Sequence, residues 1–487
     1  MKKLVQATAA IGTTEAILVG VTLLRNKFLA ITIGPEGFGI YGLLNAFFLL
    51  MAVFSSTWLA TGTTKYIAEY NASGDRKGLN QVFTLSLTAC AALSMMMVVI
   101  LLVLRPWFQH IFLAPEVEPL FYILFVVTFT GMGMRPLLLA MMQGLKLIRQ
   151  VVLLRWIIAI SEFVLVVICT WLFGLTGFFI SLCVSHYLAC VLMLRSVCAK
   201  AGLRLQRLDW SDHGIRLFLI FGAVNLFLSF VNLGSQYLQK AIVNRSLDIA
   251  SVGYFQAGLA VMAYMGMVRR GAQFQYLPDM SEKMEKPCRV RMINEYLFFI
   301  LWLSLIMMSL TILFGSWAIQ LLYSNDFMPL TAVLFWFVLG QFFNNFGSAF
   351  QTTVVGMARL RMHALSTTVI VSLWVLIPYL LISRYGVGSV GMGFVIGSAS
   401  GVLLNGGYLM RAIRYRLSRR VIIMILLCGL GMGGAILIRE SAFLLKVAWT
   451  VLILMMSILT IRREEWRRIW RHFNRRIRSF AAGGRKD

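Results

Sequence analysis

The chain has 487 residues, of which 59% are hydrophobic and only 13% are charged, with a formal net charge of +26. This composition, spread over many separate apolar runs, excludes a soluble globular protein and indicates a polytopic membrane protein. Most of the 45 lysines and arginines fall between the apolar runs, on the side of the membrane that holds the N-terminus. Because this asymmetry is the positive-inside signal, it predicts membrane topology and argues against a nucleic-acid partner.

Hydropathy predicts an all-α protein with fourteen transmembrane spans and both termini in the cytoplasm. We expect the first span to be retained rather than removed as a signal peptide, because Glu15 interrupts it and no small-residue cleavage site follows it. The predicted spans cover approximately residues 8–31, 39–63, 82–104, 120–142, 151–172, 177–197, 217–243, 253–277, 293–314, 331–355, 363–382, 391–410, 421–438 and 444–461.

The loops and cysteines indicate no catalytic or metal chemistry. No loop is long enough for a soluble catalytic domain, and the chain has no Walker-type glycine loop and no nucleophile–base–acid arrangement. The 7 cysteines lack metal-ligand spacing, so we expect free thiols. The sequence therefore predicts a protein that acts within the bilayer, without a metal or cofactor and not as an enzyme.

An internal repeat divides the chain. Gly39 in the second span recurs as Gly253 in the eighth, Lys27 as Lys240 and Trp107 as Trp317, at offsets between 210 and 214 residues. This predicts two six-helix lobes, residues 1–205 and 206–420, with the same orientation in the membrane. Two further helices (421–461) and a basic amphipathic tail (462–487) follow. We expect the tail to lie on the anionic leaflet, the alternative being a solvated basic segment.

Polar residues form stripes along three spans. The first span places Glu15 and Asn26 on one helix face. Further stripes run along the seventh span (Asn225, Ser229, Asn232, Gln236, Lys240) and the tenth (Gln341, Asn344, Asn345, Ser348, Thr352). Such stripes turn away from lipid, either to make interhelical hydrogen bonds or to line a water-filled lumen. For stripes of this length we favour the lumen.

Basic residues outnumber acidic ones inside the spans. They are Arg25, Lys27, Arg135, Arg155, Lys240, Arg269 and Arg270, against the deep acids Glu15 and Glu162. A charge that faces lipid at mid-helix costs about 2.5–3.5 kcal/mol. Lys27, Arg155 and Lys240 lie near helix ends, from which they can reach the interface, and Arg155 is also placed to pair with Glu162. The other four arginines have no evident acidic partner.

This excess of positive charge predicts an electropositive cavity suited to a phosphate, a pyrophosphate or an acidic sugar. Structural ion pairs between helices are the alternative. Glu15 and Glu162 are candidates for coupling to a proton or sodium gradient. The candidate cavity residues are Arg25, Asn26, Lys27, Arg135, Asn225, Asn232, Gln236, Lys240, Arg269, Arg270, Gln341, Asn344 and Asn345.

Two motifs resemble a known family. GPEGFGIYGLL (residues 34–44) and TGTTKYIAEY (residues 61–70) are similar to the O-antigen translocase (Wzx) branch of the multidrug/oligosaccharidyl-lipid/polysaccharide exporter superfamily, and within it to the lipid III flippase type. The resemblance implies a MATE-like fold and a cationic central cavity to which Arg25 and Lys27 contribute. The extra helix pair departs from the twelve spans common in that branch, although related lipid flippases also have fourteen.

The resemblance also implies a function. A protein of this branch would move an undecaprenyl-diphosphate-linked oligosaccharide (an O-antigen, enterobacterial common antigen or exopolysaccharide repeat unit) to the periplasmic leaflet of the bacterial inner membrane by alternating access. Its partners would be this glycan, membrane lipids and other polysaccharide assembly proteins. Two alternatives stay open. A drug or cation antiporter on the same scaffold would be expected to present acids to its cargo, and a membrane glycan polymerase or ligase would need a larger outside loop.

Overall fold

The computed structural model describes residues 2–112, 117–201, 213–281, 285–437 and 443–459. Within these ranges the chain is helical and contains no β-strand. The helices are α1 (Lys2–Ala52), α2 (Trp58–Ser73), α3 (Arg76–Val103), α4 (Arg105–Phe112), α5 (Pro119–Gly144), α6 (Ile148–Ala201), α7 (His213–Ser246), α8 (Ile249–Ser281), α9 (Lys286–Leu322), α10 (Pro329–Gly356), α11 (Leu360–Tyr385), α12 (Gly388–Ala412), α13 (Arg419–Leu437) and α14 (Phe443–Leu459).

Two of these helices each contain two predicted spans. α1 bends at Gly34 (φ 62°) and α6 at Gly174 (φ 58°), left-handed conformations that glycine adopts without a steric penalty. The second predicted span then continues from α1 through a π-helical turn, Val53–Thr57, into α2. Each of the predicted spans coincides with a helical segment over its described residues, to within one residue. The predicted tail at 462–487 lies outside these residues.

Nine segments of the described chain are long and apolar enough to cross a bilayer. Of these segments, Leu18–Ser56 overlaps two of the predicted spans and Arg149–Ala199 holds two others. Large apolar side chains stand exposed on the helices, among them Val103 on α3, Trp171 and Phe173 on α6, and Tyr379 on α11. Such surfaces are stable against acyl chains and not in water, so the all-α polytopic fold is confirmed.

The first of two compact units comprises residues 1–264, 316–337 and 364–397, as far as they are described. One apolar cluster in this unit joins α2, α3, α5 and α6 and includes Leu59, Phe83, Leu137, Met141 and Met193. α2 and α5 pack closely, because a Cβ atom at Gly144 would lie 3.0 Å from the carbonyl oxygen of Thr64. This packing gives the helices that carry the polar groups a rigid frame.

Within the same unit, α1 crosses α8 at two glycines. A Cβ atom at Gly39 would lie 1.9 Å from the carbonyl oxygen of Ile249, and one at Gly253 would lie 2.0 Å from that of Pro35. Only glycine allows two backbones to approach so closely. Gly39 and Gly253 are partners in the predicted repeat, and each lies against a backbone carbonyl oxygen of the other's helix.

The second unit comprises the described parts of 265–315, 338–363 and 398–487. Here α13 packs on α9, with Cys428 Sγ 3.9 Å from the carbonyl oxygen of Leu301. The segment between α12 and α13 is held by Asn294 of α9. Its amide donates to Val290 O (2.9 Å) and Arg416 O (3.0 Å), and accepts from Ser418 N (2.8 Å) and the Tyr415 hydroxyl (3.2 Å). All the hydrogen-bonding capacity of this side chain is therefore used.

Candidate functional site

Two arginines share one carboxylate in the first unit. Arg25 of α1 donates through Nη1 to Glu162 Oε1, and Arg135 Nη1 of α5 lies 3.6 Å from Glu162 Oε2 on α6. The side chains of Arg25, Arg135 and Glu162 are 22%, 33% and 13% exposed. Two guanidinium charges against one carboxylate leave a net positive charge inside the helical assembly, and we call these three residues the ion cluster.

The expectation that Arg25 and Arg135 lack an acidic partner is wrong. Both face Glu162, which lies 137 residues from Arg25 in the sequence. Sequence periodicity compares residues on one helix, so it cannot find a pair that two helices at equal membrane depth bring together. The pairing of Arg155 with Glu162 stays a prediction.

Aromatic and imidazole groups surround the ion cluster. Tyr41 and Tyr264 interact electrostatically with Arg25, and His186 interacts with Glu162 and Arg135. The Nδ1 atom of His186 lies 2.8 Å from the carbonyl oxygen of Leu182. Because a carbonyl oxygen only accepts, this nitrogen carries the hydrogen. His186 was not among the predicted site residues, since a lone histidine in an apolar span is typical of a packed core.

Asn26, next to Arg25, binds across to another helix. Its Nδ2 atom donates to the hydroxyl of Tyr264 on α8 over 3.0 Å. Asn26 and Arg25 thus point two neighbouring polar side chains toward groups from other helices. This arrangement matches the predicted inward face of the first span.

The two lysines of the predicted repeat bind backbone carbonyl groups. Lys27 Nζ donates to Gln320 O (2.6 Å) and to Tyr323 O, at the carboxyl end of α9. Lys240 of α7 is 4% exposed, and its Nζ donates to Gly42 O of α1 over 2.9 Å. The expectation that Lys240 reaches toward the interface is wrong, since it is buried against α1.

The polar stripe of α10 makes one hydrogen bond within α10 and two to other helices in the second unit. Gln341 donates to Asn345 Oδ1 (2.8 Å), Asn345 donates to Ser304 Oγ of α9 (3.1 Å), and Thr352 Oγ1 accepts from Gln273 of α8 (2.9 Å). The sequence favours a water-filled lumen for this stripe, whereas the bonds to α8 and α9 agree with the alternative, interhelical hydrogen bonding. A small pocket lies beside them, and it is lined by Met265, Arg269, Ile300, Leu303, Ser304, Met307 and Asn345.

Of the remaining predicted cavity and ion-coupling residues, the structure describes the side chains of some and not of others. On α7, Asn232 accepts from Gln236 over 2.9 Å, and Asn225 is half-buried. Asn344 on α10 is also half-buried. The side chains of Glu15 and Arg270 fall outside those that the structure describes. No group of three or more potential metal ligands occurs within the described ranges.

The fold and the enclosed polar groups define a multi-pass helical membrane protein of the MATE-like type. Two solved structures share this fold. The lipid II flippase MurJ, in an inward closed conformation, matches with a TM-score of 0.73 and 12% identity over 92% of this chain and 97% of that one. An inward-facing multidrug resistance MATE family transporter of the MOP superfamily matches with a TM-score of 0.71 and 14% identity, over 82% of this chain and 94% of the transporter.

Sequence comparison identifies the family. The model described as "Polysaccharide biosynthesis protein" matches residues 4–268, more than half of the chain, and the protein belongs to this family. Among curated relatives, the lipid III flippases of Escherichia coli (strain K12) and Shigella flexneri are each 24% identical over 399 residues, covering 78% of this chain and 92% of the relative.

Proposed function

We propose that this protein is a flippase that moves an undecaprenyl-diphosphate-linked oligosaccharide from the cytoplasmic to the periplasmic leaflet of the bacterial inner membrane. It works by alternating access through a cationic central cavity, with both termini in the cytoplasm. Family membership and the likeness to lipid III flippases over most of both chains support this proposal. Its partners are the lipid-linked glycan, membrane lipids and other polysaccharide assembly proteins.

The observation that carries the proposal is the positive ion cluster. Arg25 and Arg135 are partly exposed and together outnumber Glu162. Guanidinium groups bind phosphate oxygens through paired, charge-assisted hydrogen bonds. A net positive charge inside a membrane protein is costly unless an anion neutralises it. The diphosphate linkage of such a lipid would supply that anion.

The proposal is tested by transport in liposomes. Purified protein in liposomes that carry a fluorescent lipid-linked oligosaccharide in one leaflet should move it to the other leaflet, where a membrane-impermeant enzyme cleaves it. Arg25→Ala should lower the rate at least about tenfold, because one charge-assisted contact to phosphate is worth about 1.5–3 kcal/mol. We expect the same direction for Arg270→Ala.

The matched control is Arg291→Ala, which removes an exposed arginine on α9. This variant should flip lipid at the wild-type rate, and all variants should elute as folded protein from a sizing column. If the wild-type protein moves no lipid-linked glycan, and its depletion in cells causes none to accumulate, the proposed function is wrong. Full transport by folded Arg25→Ala would assign Arg25 a structural role.

Drug or cation antiport is the second candidate, because the fold is shared with a multidrug resistance transporter. The positive ion cluster argues against a cationic cargo, which would be repelled by Arg25 and Arg135. Efflux of a cationic dye from overexpressing cells distinguishes the two functions, since only the antiporter would export it.

A further inference from the structure

The ion cluster is built so that it can open. Its three members stand on different helices, α1, α5 and α6, and no backbone hydrogen bond has to break for them to separate. Glu162 is held unequally: Oε1 contacts Arg25 closely, whereas Oε2 lies 3.6 Å from Arg135. Arg135 is also the more exposed of the two arginines. The contact between Arg135 and Glu162 is therefore the weaker of the two and the one more open to a competing anion.

Glu162 presents to the arginines the same chemistry that a phosphate does. Its two oxygens accept from the guanidinium groups as two phosphate oxygens would. An anion that binds Arg25 and Arg135 must therefore compete with Glu162 for the same N–H donors. We propose, on the basis of the flippase function above, that Glu162 is an internal counter-ion that the substrate's diphosphate displaces, and that it takes up a proton as it is displaced.

The charges decide whether the displaced Glu162 stays ionised. With the carboxylate ionised, the ion cluster carries two positive charges and one negative charge. A diphosphate diester brings two negative charges, so the complex would hold an excess negative charge beside a carboxylate without its partners. Charges enclosed in a membrane protein are stable only when they are paired. Protonation of Glu162 leaves two guanidinium charges against two phosphate charges, which balance.

The groups around Glu162 allow a proton to reach it. Arg25 from α1 and Arg135 from α5 face it, His186 lies on the second half of α6, and Tyr41 and Tyr264 lie next to Arg25. His186 donates from Nδ1 to Leu182 O, which leaves Nε2 as the atom that can accept and pass on a proton. The proton comes from a hydronium ion, which the buffer replenishes: an O–H bond of the hydronium breaks, water is left, and a new O–H bond forms on a Glu162 oxygen.

Calorimetric titration tests the inference. The probe is farnesyl-diphosphate-linked N-acetylglucosamine, a short-chain diphosphate diester, titrated into detergent-solubilised protein in two buffers of different ionisation enthalpy. Wild-type protein should take up about one proton for each probe bound. Glu162→Gln keeps the shape of the side chain but removes its charge. This variant should bind the probe about tenfold more tightly, with an uptake near zero.

Two further variants separate the effect of the Glu162 charge from a general effect of the substitution on folding. Glu295→Gln removes the same charge from an exposed pair with Arg291, whose side chains are 61% and 78% exposed, and should change neither affinity nor proton uptake. Glu162→Asp keeps the charge and should keep the proton uptake. Equal or weaker binding by folded Glu162→Gln, or proton uptake that persists in it, overturns the inference while the flippase function stands. A wild-type protein that neither binds the probe nor flips lipid overturns the flippase function itself.

Discussion

Lys27 shows how a charged side chain within a membrane helix can be satisfied without an acidic partner. Its ammonium group donates to the carbonyl oxygens of Gln320 and Tyr323, at the carboxyl end of α9. The last carbonyl groups of a helix have no partner within the helix, and the helix dipole places partial negative charge there. Lys27 therefore caps α9, although the sequence predicted it as a cavity residue.

Lys27→Met should lower the thermal unfolding temperature in detergent by up to about two degrees, because the contact between a cation and a helix carboxyl end is worth about 0.3–2 kcal/mol. Lys27→Arg should retain most of this stability. Lys286→Met, at an exposed position, is the control and should leave the unfolding temperature unchanged. Unchanged stability together with lost transport in Lys27→Met would instead show that Lys27 contacts the substrate.

At the scale of single residues, the sequence predicts which side chains turn away from lipid but not what they bind. Arg25 and Asn26 were expected on an inward face, and they contact Glu162 and Tyr264 from other helices. The identity of these partners depends on how α1, α6 and α8 pack, which no periodicity within one span contains.

The crossing of α1 and α8 is a very close helix contact in the first unit. Gly39 and Gly253 each bring a backbone within contact of a carbonyl oxygen of the other helix. A side chain at either position would push the two helices apart. In the proposed alternating-access cycle helices separate and close again, and this crossing would be suited to a contact that forms in one state of that cycle.

Gly253→Val should destabilise this packing by at least about 1–3 kcal/mol, the usual cost of overpacking. We expect a lower thermal unfolding temperature in detergent and slower lipid flipping. Gly407→Val is the matched control, since Gly407 lies on α12 and a Cβ atom there would meet nothing within 4 Å. Wild-type stability of Gly253→Val would show that the crossing is not close in the dominant state of the protein.

At the scale of helices, apolar length and turn residues were enough to predict the spans. The Gly-Pro pair at Gly34 and Pro35 marked the first reversal of the chain. The π-helical turn at Val53–Thr57 was not predicted, because it depends on how the chain packs around Ser55 and Ser56, both buried and bonded to Ala52 O.

The whole molecule is organised by its number of spans. The predicted even number of spans would return the chain to the side on which it began, and the excess of lysine and arginine predicts that this side is the cytoplasm. The fold could be predicted because the energy of crossing a bilayer dominates every other local preference. The division into lobes of residues 1–205 and 206–420 stays a prediction.

Topology reporters test this organisation. Green fluorescent protein fused to either terminus should fluoresce, because both termini are expected in the cytoplasm. Alkaline phosphatase fused after residue 440, behind the thirteenth predicted span, should be active in the periplasm. An active phosphatase at the C-terminus of the full chain would mean an odd number of spans.

The two kinks have a consequence for what the protein displays to its surroundings. At Gly34 and Gly174 the chain bends at a single left-handed residue, and helical backbone continues on both sides of it. Exposed loop tips are the preferred sites of proteolytic cleavage. At both kinks, a protease added to membrane vesicles would find no exposed loop tip to cut.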